Sequence, residues 1–217
     1  MTKMFRYFTT LGVIAVALQT SVALAQPANA HSLTPPPVPG NLAVEAGHTL
    51  FLAGQAFGTQ NYICLPSATG FSWTFFSPQA TLFFTQLRPN EVVHQQIVTH
   101  FLSPNPDENG TGRATWQSSL DTSAVWARVR LNPDGTNGSS TDPRFVAAGA
   151  IPWLLLEAVG TQAGPTGGGV LADTRFIQRL NTFGGVAPST GCSQAGNVGA
   201  TALVPYAATY FFYKRSH

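Results

Sequence analysis

The sequence consists of short apolar runs separated by turn clusters, and no long stretch keeps the 3.6-residue period of a helix. The segment FSWTF (71–75) alternates strictly, with three aromatic residues on one face and two hydroxyl residues on the other, as in a half-buried strand. Separators such as SPNPDENGTG (103–112) and NPDGTNGSSTDP (132–143) are rich in Asn-Gly, Asp-Gly and Pro, which are turn signals. This pattern predicts an all-β protein.

About ten short strands are predicted, which suits a single-domain antiparallel β-sandwich or a closed barrel. IPWLLLEAV (151–159) contains helix-favouring Leu and Glu, but the Gly-rich turn that follows favours a hairpin arm. The ten segments are residues 49–53, 57–64, 71–75, 80–84, 92–102, 113–119, 123–131, 151–159, 170–180 and 206–213.

The N-terminus has the features of a secretory signal peptide. Lys3 and Arg6 precede the apolar run LGVIAVAL (11–18), and Ala23-Leu24-Ala25 is a small-x-small cleavage site. The apolar run is too short for a membrane-spanning helix, which needs about 20 residues. We therefore expect residues 1–25 to be a signal peptide cleaved after Ala25, and the mature protein to be secreted or periplasmic.

The rest of the chain predicts a Pro-rich tether at 26–40, which includes HSLTPPPVPG (31–40), and one all-β domain at 41–217. Without Lys3 and Arg6, the 11 basic residues become 9, against 9 acidic residues. A mature chain near neutrality gives no electrostatic reason to expect a nucleic-acid partner.

Several common catalytic and cofactor motifs do not occur in the sequence. There is no G-x-S-x-G, no H-E-x-x-H, and the Gly-rich GPTGGG (164–169) lacks the Lys and Ser/Thr of a phosphate loop. No cofactor is predicted.

Cys64 and Cys192 are the only two cysteines. In an exported chain, a single pair points to a disulfide. The alternatives are a free thiol or a nucleophilic Cys192, but the loop APSTGCSQAG around Cys192 has no basic residue to favour a thiolate. Two cysteines do not make a structural zinc site, and no metal site is predicted from them.

Six motifs distributed along the chain are similar to those of one family. They are GTQNYIC (58–64), WTFFSPQATLF (73–83), THF (99–101), IPWLLLEAV (151–159), FIQRLNTFGGVAPSTGC (176–192) and VPYAATYFFY (204–213). Together they resemble the secreted bacterial and fungal proteins catalogued as domain of unknown function 3455. Members typically carry an Asp-Gly-Ser turn after a Trp-containing strand, whereas LDTS (120–123) keeps Asp121 and Ser123 without the glycine. The resemblance implies no established reaction.

Polar residues inside apolar runs are the candidates for a binding pocket. Glu157 in LLLEAV needs a partner because an unpaired buried charge is costly, and Arg128, Arg175 or Arg179 could supply it. In FIQRL (176–180), alternation places Gln178 on the opposite face from Arg179. The predicted pocket residues are His100, Trp116, Asp121, Arg128, Glu157 and Gln178.

Three functional hypotheses follow. The leading one is a non-catalytic binding or cell-envelope module, with a small molecule, a glycan or an envelope protein as partner. The first alternative is a secreted hydrolase that uses His100 or Glu157 as acid/base, oriented by Asp121 or Arg128. The second is a weak metal binder built from His48, His94 and His100. On a regular strand His94 and His100 share a face but lie about 20 Å apart, so a shared ion requires a bend or bulge.

Overall fold

The computed structural model describes residues 34–216. The signal peptide and its cleavage site, predicted at 1–25, lie outside the described residues. No helix in 34–216 has the length and apolarity needed to cross a membrane.

Nine strands form one antiparallel sheet in the described part of the chain. Their order is β5-β4-β3-β2-β1-β9-β8-β7-β6, and an additional pairing of β5 with β7 closes eight of them into a barrel, which leaves β6 as an extra strand on β7. The strands are β1 (His48–Ser67), β2 (Gly70–Arg88), β3 (Glu91–Asn105), β4 (Thr111–Ser118), β5 (Ala124–Val129), β6 (Ser139–Ser140), β7 (Trp153–Gln162), β8 (Phe176–Gly184) and β9 (Thr201–Arg215).

The all-β prediction is confirmed, and of the two predicted architectures the closed barrel is observed. The count of about ten short strands is wrong. The predicted segments on either side of Gly54 form the single 20-residue strand β1, and FSWTF and ATLFF both lie in the 19-residue strand β2. The ten segments thereby reduce to the eight barrel strands, and β6 lies in a predicted separator.

Gly54 lies inside β1 and does not end a strand, and a larger residue there would crowd its neighbours. A Cβ at Gly54 would lie 3.0 Å from Ile97 Cδ1 and 3.2 Å from Leu82 Cβ. The missing side chain therefore makes room for two residues of the barrel interior. IPWLLLEAV is a strand rather than a helix, as predicted, since Trp153–Gln162 forms β7.

Two apolar clusters stabilise the fold. The inner cluster fills the barrel and includes Trp116, Ile177, Tyr210 and Phe212. The outer cluster includes Leu42, Trp153, Leu155 and Phe211, and the chain from Val38 to Val44 packs against it. Val38, within the segment predicted to be a tether, therefore packs against the barrel.

The two ends of the barrel differ. The turns at 89–90 and 119–123 and the connection 163–175 lie at one end, which we call the plugged end. Leu171, on that connection, is fully buried and belongs to the inner cluster. The turns at 68–69 and 106–110 and the connections 130–152 and 185–200 lie at the other end, which we call the cavity end.

Candidate functional site

A cavity of about 290 Å³ enters the barrel at the cavity end. Its wall is mostly apolar and includes Leu102, Ala114, Ala127 and Leu156. It reaches the surface beside Phe75 and Leu102, which are 47% and 43% exposed. The volume is close to the lower limit of typical ligand pockets, about 300 Å³.

His100 and Trp116 form one polar part of the wall. They are register partners on β3 and β4, and their rings stack with centroids 4.1 Å apart. His100 Nδ1 lies 2.8 Å from the Thr115 carbonyl oxygen, so Nδ1 is the protonated nitrogen and donates. Burial is the main reason why the pKa of His100 is lowered to about 3. The hydrogen bond to Thr115 raises the pKa but does not outweigh burial, and the charge of Arg179 lowers it further. The ring is therefore neutral at physiological pH, with its lone pair on Nε2.

Arg179 supplies a positive charge to the same wall. It lies on β8, where Tyr210 of β9 is its register partner. Its Nε and Nη2 donate to the Pro152 carbonyl oxygen at 3.3 and 2.9 Å. The hydroxyls of Tyr206 and Tyr210 lie 3.3 Å apart nearby, and burial raises the pKa of both phenols. Arg179 is thus surrounded by neutral groups.

Two further arginines line the rim, and each has a carboxylate partner. Arg113 Nε and Nη2 each donate to Glu108 at 2.7 Å. The hydrogen bond from Arg113 is the main reason why the pKa of Glu108 is lowered to about 2. Arg128 pairs with Glu157 at 2.7 Å. The rim is therefore charge-compensated, unlike Arg179.

Two buried donors of the cavity wall make no hydrogen bond of normal geometry with the described residues. Trp116 is 1% exposed and its Nε1 has no partner within 34–216. Gln60 is 4% exposed; its amide lies near the Tyr206 hydroxyl, but Nε2 makes no hydrogen bond of normal geometry. Buried donors are nearly always satisfied in folded proteins. Trp153 Nε1 in the outer cluster is unpaired as well, but only Trp116 and Gln60 belong to the cavity wall, where a bound acceptor is one way to satisfy them.

The family of this chain is shown by its sequence. The family described as protein of unknown function (DUF3455) matches residues 45–214. The chain belongs to this family. The resemblance seen in the motifs is therefore confirmed. No curated protein and no solved structure matches the chain.

The structure brings together three of the six predicted pocket residues of this DUF3455 chain. His100, Trp116 and Arg128 line the cavity. Glu157 is not part of the cavity wall. It pairs with Arg128, one of the three arginines predicted as its possible partners. This ion pair is partly exposed rather than buried, with the side chains 52% and 28% accessible.

Asp121 was predicted in the pocket but lies at the plugged end. Its Oδ1 accepts hydrogen bonds from Ser123 N and Oγ, and its Oδ2 accepts one from Val170 N. Gly164 and Gly168 let the connection 163–175 lie close to Asp121. A Cβ at Gly164 would lie 1.8 Å from Asp121 O, and a Cβ at Gly168 would lie 2.3 Å from Asp121 Cβ. The LDTS turn of this DUF3455 chain thus fixes a loop, and both oxygens of its carboxylate accept hydrogen bonds.

Gln178 was also predicted in the pocket, but it faces the outer cluster. Its Nε2 donates to the Leu42 carbonyl oxygen and its Oε1 accepts from the Tyr213 hydroxyl, both at 2.7 Å. Alternation along FIQRL correctly separated Gln178 from Arg179. The cavity lies on the face of β8 that carries Arg179, which is not among the predicted pocket residues.

The remaining candidates do not form a metal or thiol site. Cys64 and Cys192 form the predicted disulfide, with a Cα–Cα distance of 5.5 Å. Ile97 and Val98 are both buried at a bulge in β3, and this bulge leaves His94 exposed while His100 is buried. No group of three His, Cys, Asp or Glu residues within 34–216 could hold a metal ion.

Proposed function

We propose that the mature protein is a non-catalytic binding module that holds a small, mainly apolar molecule in the cavity of the barrel. The observation that carries this proposal is a cavity with an apolar wall that also holds two buried donors, Trp116 Nε1 and Gln60 Nε2, without a normal hydrogen bond to any described residue. Ligand pockets commonly combine such a wall with a few placed polar groups.

Export to the periplasm or the extracellular medium belongs to the same proposal. The Cys64–Cys192 disulfide is compatible with an oxidising compartment. The lysine- and arginine-bearing N-terminus with its apolar run supports export.

A small-molecule ligand fits the cavity better than a glycan. Trp116, Trp126 and Trp153 are 1%, 6% and 5% exposed, so their rings are not available as a stacking surface for sugars.

Catalysis is less well supported by this geometry. No carboxylate is among the described residues that line the cavity. A histidine whose pKa is about 3 is a poor general acid or base near neutral pH.

Titration of the ¹⁵N-labelled mature protein with indole and with cyclohexanol tests the proposal by NMR. We expect saturable shifts of the Trp116 indole N–H signal and of the Ala114 and Ala127 amides. Saturable shifts confined to the outer surface, or no shift with either probe or with small aromatic acids and amides, would contradict it.

A pair of matched variants checks that binding occurs in the cavity. Ala114→Leu adds bulk to the cavity wall, whereas Ala207→Leu adds the same bulk on the outer face of β9, between the interior residues Tyr206 and Ala208. Binding should be lost in the first variant and kept in the second. Equal affinity in both variants would place the ligand elsewhere.

A further inference from the structure

Arg179 is the one cavity-wall arginine without a carboxylate partner among the described residues. Arg113 and Arg128 are neutralised by Glu108 and Glu157. Among the described residues, the Arg179 guanidinium donates to the Pro152 carbonyl oxygen and interacts with the Tyr210 hydroxyl, and neither group carries a net charge. Because a guanidinium has five N–H donors, at least two remain after these contacts are counted.

The groups around Arg179 cannot supply the missing negative charge. Tyr62, Tyr206 and Tyr210 all feel its charge, yet burial raises the pKa of each phenol, so the phenols are neutral. His100 feels the same charge and stays neutral as well. A cation inside a partly desolvated wall attracts an anion more strongly than one in bulk water does.

The neighbouring unpaired donors point to the same ligand chemistry. Trp116 Nε1 and Gln60 Nε2 are donors only, and both side chains share the cavity wall with Arg179. A carboxylate has two oxygens with about four lone-pair sites, so it matches a wall with donors and a positive charge. An uncharged acceptor would leave the charge of Arg179 uncompensated.

The rest of the wall requires that the acid carry an apolar body. Leu154, Leu156, Ala127 and Pro78 offer no hydrogen-bonding side chain, so a small inorganic anion would leave most of the cavity unfilled. An apolar cavity of about 150 Å³ accepts benzene. The 290 Å³ found here therefore has room for an aromatic ring with a short side chain.

On the basis of the proposed binding function, we propose that the ligand is a small monocarboxylic acid with an apolar, ring-sized body, whose carboxylate is bound by Arg179 within the barrel. Its apolar part lies against the leucine and alanine wall, toward the opening beside Phe75 and Leu102.

The decisive experiment compares two probes that differ only in charge, 3-phenylpropionate and 3-phenylpropanamide, by isothermal titration calorimetry. The folded mature protein should bind the acid about tenfold to a hundredfold more tightly than the amide, as expected for charge-assisted hydrogen bonds. In Arg179→Gln this preference should vanish, because the acid loses a charge-assisted hydrogen bond and the amide only a neutral-acceptor one, so the affinity for the acid falls further.

Arg175→Gln is the matched control, because Arg175 is exposed, lies at the plugged end and does not line the cavity. It should keep the preference for the acid. Arg179→Lys keeps the charge without the bidentate fork, so it should retain part of the preference even if Arg179→Gln folds poorly. Circular dichroism melting of each variant identifies any loss of folding.

The outcomes separate this inference from the proposed function. Equal binding of acid and amide by the wild type, or an unchanged acid preference in both Arg179 variants, would overturn the assignment of Arg179 but leave a small-molecule cavity in place. Displacement of the acid by phosphate or chloride at equal concentration would show that the site takes a simple anion, and would also overturn it. Absence of binding by either probe, together with silence of the neutral NMR probes, would overturn the proposed function itself.

Discussion

The two ends of the barrel use polar residues in opposite ways. At the plugged end, the Asp121 carboxylate accepts three hydrogen bonds, and Ser123 Oγ accepts another from Leu171 N. At the cavity end, Trp116 Nε1 has no hydrogen-bond partner among residues 34–216, and Gln60 Nε2 has only a contact of poor geometry with the Tyr206 hydroxyl. Because a buried polar group without a partner costs stability, the plugged end is arranged for folding, and the cavity end retains groups that a ligand could satisfy.

The cavity end is nevertheless the end with the covalent link. Cys64 lies near the end of β1 and Cys192 lies in the connection 185–200. Trp73 Nε1 donates to the Thr190 carbonyl oxygen at 2.8 Å and adds a second link between the β1–β2 hairpin and this connection. A site that is held rigidly loses less entropy when a ligand binds. The disulfide thus supports the cavity end, whereas the plugged end is held by hydrogen bonds and by the burial of Leu171.

Removal of the disulfide should produce the largest effect. The Cys64→Ala/Cys192→Ala variant frees two positions separated by 128 residues. The chain-entropy estimate for so long a loop is a loss of about 4–5 kcal/mol in the free energy of unfolding. Urea unfolding followed by tryptophan fluorescence measures it, and the reduced wild type should behave like the variant. A loss below about 1 kcal/mol would show that the cavity end is held by non-covalent contacts instead.

Overpacking the plugged end should have the second largest effect. In Gly168→Ala the new Cβ would lie 2.3 Å from Asp121 Cβ, so the loop has to move, at a cost of about 1–3 kcal/mol. Gly169→Ala is the matched control, because its Cβ meets only Ala172 Cβ at 3.7 Å. If the two variants unfold at the same urea concentration, the contact of Asp121 with the loop does not stabilise the barrel. Ligand binding should be the same in both.

The apolar pattern predicted much of the fold, but the closure of the barrel depended on long-range pairing. Each of the ten predicted segments overlaps a barrel strand, because alternation is a local property. β1 continues through Gly54 because residues on both sides of it pair with β9, and the side chains close to Gly54, Ile97 and Leu82, also come from other strands. No local rule could therefore show that two segments form one strand.

The site was harder to predict for the same reason. Alternation places Gln178 and Arg179 on opposite faces of the strand, but it does not show which face is interior. The choice of face depends on contacts with distant segments, such as the N-terminal segment, whose Leu42 carbonyl oxygen accepts a hydrogen bond from Gln178. Asp121 was misplaced because its partner Val170 lies 49 residues away. His100 and Trp116 were found because polar and indole groups inside an apolar strand have few explanations other than a core or pocket position.

Protonation of Asp121 at low pH should lower the free energy of unfolding by less than Gly168→Ala does. Burial by itself raises the pKa of Asp121, but the hydrogen bonds from Val170, Ser123 and Ser118 outweigh it and lower the pKa to about 2, from the ordinary 3.8. A lowered folded-state pKa stabilises the fold above about pH 3.8, and this contribution is lost as the pH falls toward 2. After allowance for solvent screening, we expect about 1 kcal/mol.

A comparison with Asp121→Asn isolates this effect from other carboxylates such as Glu108. The wild type should exceed the variant in free energy of unfolding at about pH 6, and the difference should shrink toward zero near pH 2. A difference that stays constant from pH 6 to about 2 would mean that the Asp121 charge does not stabilise the loop.

The smallest effect expected is the change of ligand affinity with pH at the cavity end. Because the pKa of His100 is lowered to about 3 by burial, its ring should stay neutral between about pH 8 and 5, whereas an ordinary histidine gains its charge near pH 6.5. The affinity for the uncharged probe 3-phenylpropanamide, measured by calorimetry, should therefore vary less than about twofold over this range. The same lowered pKa makes stability full above about pH 6.5 and lets it decline as the pH falls toward 3, so circular dichroism must show a folded protein at each pH. An affinity change with a midpoint near pH 6.5 would place a titrating imidazole in the cavity, and the cavity end would then respond to acid more strongly than the plugged end.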